Sequence, residues 1–110
     1  MNITQIKINT TGIKLIATDG DKQIARAYLY LLHNDLHDVP FGYIEDVFVE
    51  EEYRGQGIGS QIVKSAIEQA KLEKCHKVIM TSRYGKDKVH ELYTRLGFID
   101  WGKEFRMDIK

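Results

Sequence analysis

Apolar and polar positions alternate through the first half of the chain and recur at three- and four-residue intervals through much of the second. Residues 3–8, 13–18, 24–32 and 41–49 are rich in Ile, Val, Tyr and Phe and read as strands. Asp19, Gly20 and Asp21 supply a hairpin turn. The polar stretch HNDLHDVPFG, which holds the only proline, supplies a longer loop. The expected first half is therefore a meander of antiparallel strands.

After Gly59 the period changes. Ile58, Ile62, Val63, Ala66 and Ala70 fall at helical spacing and predict a core-facing helix that ends near Lys74. Residues 77–81 read as a short buried strand. Val89, Leu92, Tyr93 and Leu96 mark a second helix, stopped by Gly97. Residues 98–100 and 104–109 close the chain as strands. This order predicts an α/β (α+β) fold in one domain over residues 1–110, a mixed and mostly antiparallel sheet with two main helices packed on it.

A chain of 110 residues, 43% of them hydrophobic, has room for one core. Its 16 basic residues equal its 16 acidic ones, so no global field draws it to nucleic acid. The balance is uneven along the chain: acids crowd between Glu45 and Glu52, and Lys and Arg dominate from Lys64 onward. No apolar run approaches the roughly 20 residues that span a bilayer, and MNITQIKINT has no signal-peptide core. The expectation is a cytoplasmic protein that meets neither membrane nor nucleic acid. The lone Cys75 has no internal disulfide partner and no positioned His and acid. His33, Asp35, His37 and Asp38 are bunched in one loop without a distant further ligand, so no metal is expected.

The richest chemistry lies where the strand GYIEDVFV runs into EEEYRGQGIGS, with the first helix starting inside the glycine cluster. Strand, glycine turn and helix form an anion-binding geometry. Glycines let backbone approach a phosphate, and the helix's first free N–H groups and positive end attract it. A tight connection with glycines present only for turning is the competing explanation. Two nucleotide motifs fail on the letters. A P-loop needs Lys after its last Gly, and Gly59 is followed by Ser60 and Gln61. A dinucleotide fingerprint needs its third Gly at Ser60 and an acid closing the next strand, where Thr81 and Ser82 stand.

Arg54, Gly57 and Gly59 fit the pattern Gln or Arg, two residues, Gly, one residue, Gly or Ala. Val49, the acids Glu50 to Glu52, Tyr53, the following helix and the later ELYTRLGF match in order too. In these motifs, over about 65 residues from Gly42 to Met107, the chain resembles the GNAT acetyltransferase superfamily. The resemblance implies acetyl-CoA as co-substrate. It implies that the main chain of Val47, Phe48 and Val49 bonds the pantetheine arm and that Arg54, Gly55, Gln56, Gly57, Ile58, Gly59 and Ser60 hold the pyrophosphate. The family's second helix usually opens with Asn and carries an Ala near the coenzyme. Here Lys86 and Val89 stand there, and Lys86 and Lys88 are candidates for the coenzyme's 3'-phosphate or are simply solvated.

Acetyl transfer needs a neutral amine, and an amine of pKa near 10.4 is neutral only about once in a few thousand molecules at pH 7, a cost of about 4 to 5 kcal/mol. A general base is the remedy. Glu45 and Asp46 lie beside the implied acetyl site, and on a regular strand only one can face it. The resemblance favours Glu45. It also places Tyr93 of ELYTRLGF as general acid to the departing thiolate, although Tyr93 shares a core-facing stripe with Val89, Leu92 and Leu96. The implied function is an N-acetyltransferase acting on a primary amine of a small molecule or protein. The alternatives are a binding module that holds acetyl-CoA without turnover and an acyltransferase for longer acyl groups. Members of that family usually place one or two helices after their first strand, whereas residues 3–32 here have strand-like patterns throughout, so the acceptor side is expected to be open. It would be completed either by a second copy of the chain in a two-fold homodimer or by an acceptor that is itself large, such as a protein presenting a lysine or its N-terminus.

Overall fold

A computed structural model describes residues 1–110, which divide into two compact units, Met1–Met80 and Thr81–Lys110. The first unit holds β1 (Thr11–Asp19), β2 (Lys22–Leu32), β3 (Phe41–Val49), a short 3-10 turn (Glu51–Tyr53), α1 (Ile58–Leu72) and β4 (Val78–Met80). The second holds α2 (Asp87–Arg95). The fold class is mixed α/β, with a four-stranded sheet in the order β1-β2-β3-β4, mostly antiparallel, and β4 running parallel to β3.

The alternation that predicted β1, β2 and β3 also sets their two faces. On β2, Ala25, Ala27 and Leu29 are buried against α1, which contributes Ile62, Val63, Ala66 and Ala70 from one face of its helix. Ile44 of β3 completes this core. Gly42 sits where there is little room for a side chain: a Cβ there would lie 3.0 Å from Leu29 Cδ1 and 3.6 Å from the Ala70 methyl of α1. On the other face of the sheet, Lys14, Arg26, Tyr28, Tyr30, Tyr43 and Glu45 are half-buried or exposed.

Both helices end in the same backbone motif. After α1, Cys75 N–H donates to the Ala70 carbonyl and Lys74 N–H to that of Lys71. After α2, Phe98 N–H donates to Tyr93 and Gly97 N–H to Thr94. This is the Schellman pattern, whose reversing residue is left-handed. Gly97 fills that place at φ 107°, as its role as helix stop predicts, while α1 uses Lys74 at φ 63°.

Three expected strands do not form. Residues 3–8, 98–100 and 104–109 join no ladder, and Ile3, Ile6, Ile8, Ile99, Phe105, Met107 and Ile109 are all exposed. Alternation gives a segment two faces, but a strand also needs a neighbouring edge to take its backbone groups, and these segments have none. The expected strand over 77–81 is shorter and less buried than its sequence implies. As β4 it pairs on one side only, and Ile79 is 42% exposed.

Candidate active site

The defining irregularity lies in the middle of β3. Arg26 pairs with Phe48 and Tyr28 with Glu45, so Ala27 alone stands opposite both Asp46 and Val47. Asp46 adopts φ 53°, a left-handed conformation uncommon outside glycine. This is a β-bulge, which breaks the ladder and re-aims the strand. The alternation used to separate Glu45 from Asp46 is reset here: Glu45 is half-buried in line with Tyr28, and Asp46 is exposed at the bulge.

Beyond the bulge, β3 also loses its other neighbour. β4 pairs only with Gly42, Tyr43 and Ile44, so within the sheet Val47, Phe48 and Val49 present an unpaired strand edge. Such an edge offers main-chain donors and acceptors to an extended ligand. It leads directly into the glycine turn. Gly55 (φ 81°) and Gly57 (φ 80°) are left-handed, and a Cβ built on either would meet nothing within 4 Å. The space is open, and the backbone conformation itself requires glycine.

Gly57 is the N-cap of α1 and has no side chain to cap it. The first bond of the helix runs from Gln61 N–H to the Gly57 carbonyl, leaving the N–H groups of Ile58, Gly59 and Ser60 without a partner in the chain. The turn thus gathers unpaired donors and a helix's positive end at the mouth of the open strand edge, an arrangement that favours an anion such as a phosphate group.

Side chains brace this turn from below. Tyr53 donates to Asp19 at 2.8 Å, and Lys22 pairs with Glu52 at 3.2 Å while lying 5.5 Å from the Tyr53 ring centre. The bond to Asp19 raises the Tyr53 pKa, and Glu52 raises that of Lys22. Part of the acidic run is therefore tied to the β1–β2 hairpin turn. Arg54 Nε donates to the Val49 carbonyl at 2.9 Å, and its guanidinium lies 5.3 Å from the Phe48 ring centre. Arg26 lies against the same ring at 4.7 Å. Sequence patterning had no means of finding Arg26, because only the strand register brings it to Phe48.

Tyr93 belongs to the second unit. Its ring meets Phe98 edge-on at 6.0 Å, the hydrophobic contact that accompanies the helix-stop motif, and burial raises its pKa. His90 Nε2 lies 3.1 Å from Ser82 Oγ, and Thr94 donates to the His90 carbonyl. Lys86 is the N-cap of α2 and offers the helix no side-chain acceptor; Lys88 is exposed and Val89 half-buried.

The remaining chemistry-bearing groups lie elsewhere. Burial raises the Cys75 thiol pKa, the opposite of what a nucleophilic thiolate needs. In the β2–β3 loop, His33 Nε2 lies 3.1 Å from the His37 carbonyl and the His37 ring 4.5 Å from that of His76, and no cluster of three or more His, Cys, Asp or Glu is arranged to hold a metal ion. No helix is long and apolar enough to cross a membrane.

Comparison with known proteins gives a consistent result. A family model described as "Acetyltransferase (GNAT) family" matches residues 4–98. A glucosamine 6-phosphate N-acetyltransferase of Trypanosoma brucei brucei is 35% identical over 68 residues, covering 62% of this chain and 44% of that protein. A thialysine N-epsilon-acetyltransferase of Bos taurus is 40% identical over 58 residues, covering 53% of this chain and 34% of that protein. The chain thus spans less than half the length of either curated relative. A solved structure, a putative acetyltransferase from Agrobacterium tumefaciens str. C58, superposes with a TM-score of 0.79 at 32% identity, over 84% of this chain and 65% of that one.

Proposed function

This chain belongs to the acetyltransferase (GNAT) family, and from that membership we propose that it transfers acetyl from acetyl-CoA to a primary amine of a small molecule or protein. The single observation that carries the reading is the run of unpaired backbone donors at the start of α1, placed where a bulged strand with an open edge ends. A pyrophosphate on the turn, from Arg54 through Ser60, leaves the pantetheine arm to lie along Val47, Phe48 and Val49. Family membership and the bulge together support this course. Relatives named for glucosamine 6-phosphate and for thialysine fit an amine acceptor.

In the reaction the amine nitrogen attacks the thioester carbonyl carbon, the C–S bond breaks, and the coenzyme departs as a thiol. The ammonium sheds two protons in all. Glu45 takes one and passes it to solvent; its half-buried place beside the bulge supports that role. Tyr93 protonates the departing sulfur and recovers its proton, in net terms the second one shed by the amine, through solvent, so one proton is released overall. The family resemblance of ELYTRLGF, rather than a distance, supports Tyr93 as the donor. A raised pKa keeps that phenol protonated at neutral pH.

The test is a panel of amines and blocked peptides incubated with acetyl-CoA and scored for free thiol. Amine-dependent thiol release, with a matching acetylated product, is the expected outcome. Acetyl-CoA binding by calorimetry without release on any amine would replace this reading with a coenzyme-binding module.

A further inference from the structure

The sheet face turned away from α1 is organised in rows. Lys14, Tyr28 and Glu45 stand opposite one another across β1, β2 and β3, and the next row holds Gly12, Tyr30, Tyr43 and Ile79. Successive rows on one face are about 7 Å apart. The Tyr28 and Tyr30 rings are nearly parallel, 8° apart in plane, with centres 6.3 Å apart.

One feature of this face is already occupied by a cation. The Lys14 ammonium lies 5.6 Å from the centre of the Tyr28 ring, and that ring is its partner, without a carboxylate. At the far end of the same row, the half-buried Glu45 carboxylate has no hydrogen-bond or ion-pair partner in the chain. Two further cations near this face are held by other rings: Arg26 against Phe48 one row further on, and Lys77 against Phe41. An electron-rich ring that accepts an alkylammonium and an unpaired carboxylate one strand away form a surface complementary to an aliphatic cation.

We propose that this face binds the acceptor, and that the acceptor is an amine on a cationic aliphatic chain, of the diamine or lysine side-chain type. Its reacting amine meets Glu45 beside the bulge. Its methylenes run across the strands along the row that Glu45 shares with Tyr28, and its ammonium charge is received on the Tyr28 face in place of Lys14, which swings to solvent from its exposed position on the edge strand. Tyr28 stands directly opposite Glu45 on the neighbouring strand, about 5 Å away at the backbone, and a chain of about five methylenes is long enough to join the carboxylate to the ring. The inference rests on the acetyl-transfer reading and narrows it, because an anionic amino-sugar phosphate gains nothing from such a surface.

Three acceptors separate the cases: 1,5-diaminopentane, a lysine-containing peptide with blocked ends, and glucosamine 6-phosphate. The aliphatic amines should exceed the sugar phosphate in kcat/KM by about tenfold or more, and whichever of the two is preferred identifies the free or peptide-borne source. Tyr28→Leu should raise KM for the preferred amine about 5- to 30-fold with acetyl-CoA affinity unchanged, and Tyr28→Phe, which keeps the π face, should recover most of that loss. Lys14→Met, at an exposed position that leaves the core untouched, should lower the same KM by removing the competing cation. Preference for glucosamine 6-phosphate, or an unmoved KM in both Tyr28→Leu and Lys14→Met, overturns the inference while leaving acetyl transfer standing. Titration with hexyltrimethylammonium, followed by NMR of the tyrosine rings, judges the surface without turnover. Shifts at Tyr28 and Tyr30 that Lys14→Met strengthens support it, and their absence refutes it even if no amine is acetylated.

Discussion

Gly57 combines two properties that few residues tolerate together: a left-handed backbone at φ 80° and an empty space above it. Gly57→Val would not collide with the protein itself, since a Cβ there meets nothing within 4 Å. It would force a β-branched residue into left-handed conformation and fill the space assigned to the pyrophosphate. We expect acetyl-CoA affinity to fall by about tenfold or more with a smaller loss of stability. Calorimetry showing unchanged affinity in a folded Gly57→Val protein would move the coenzyme elsewhere. Tyr93 poses a different question, because its ring has structural work in closing α2 against Phe98. Tyr93→Phe keeps that contact and removes only the hydroxyl. If the hydroxyl protonates sulfur, kcat should fall on the order of 10² with the melting temperature and acetyl-CoA binding nearly constant. An unaltered kcat would leave Tyr93 with the helix-stop role alone.

At the scale of elements, the sequence was most legible where local pattern and tertiary need agree. β3 spans the residues its alternation marks, 41–49, and the buried face of α1 is the predicted set of Ile62, Val63, Ala66 and Ala70. The terminal segments misled because alternation at Phe105, Met107 and Ile109 describes a potential strand, and whether an edge receives it is decided elsewhere in the chain. The bulge was illegible because Asp46 carries no local signal; the count of two residues against Ala27 exists only in the pairing of β2 with β3. The end of α1 was placed near Lys74 without the usual glycine, and the structure shows what that omission costs. Lys74 sits left-handed at φ 63°, so Lys74→Gly should stabilise the fold by about 1 kcal/mol, read as a higher urea midpoint at constant slope. A midpoint that falls would mean that the Lys74 side chain contributes more than its backbone strain.

The β2–β3 loop is the element whose order should follow pH. Desolvation, then the charges of His37 and Lys77, lower the His76 pKa below its ordinary 6.5. The His76 ring lies 4.5 Å from His37 and packs against Phe41 at 6.4 Å, and Phe41 in turn carries Lys77 at 5.1 Å from its ring centre. Because the folded pKa lies below the unfolded one, the unfolded chain binds more protons in this window. The contribution is therefore present above about pH 6.5 and lost as pH falls through the folded value. Hydrogen exchange at His76 N–H, which donates to the Pro40 carbonyl, should speed up below that pH once corrected for intrinsic rate, while Leu29 in the core stays protected. Equal protection of His76 at pH 5 and pH 7.5 would show that the pair does not hold the loop.

Over the whole molecule, the distribution of exposed apolar side chains raises the question of association. Ile3, Ile6 and Ile8 in the first unit and Ile99, Trp101, Phe105, Met107 and Ile109 in the second are exposed by 65% or more, and Trp101 and Phe105 by 90% and 91%. Single exposed apolar residues are ordinary, but two runs of them with strand-like alternation and no ladder partner offer both side chains and backbone groups to a neighbour. Their charges do not oppose this: Arg106 is neutralised by Asp108 at 2.8 Å, and the formal net charge of the chain is +0. We therefore predict that two copies associate through these segments in solution, in a symmetric pair that covers the same residues on each. Light scattering should give twice the mass of one chain at micromolar concentration, and dilution should reverse it. Trp101→Lys and Phe105→Lys together place two charges in the shared surface and should weaken the association by about a hundredfold or more, without changing the burial of Leu29, Ile44 and Val63 that holds the first unit together. A single-chain mass for the unaltered protein across that concentration range would show that the runs remain solvated, and the acceptor would then be met by one chain alone.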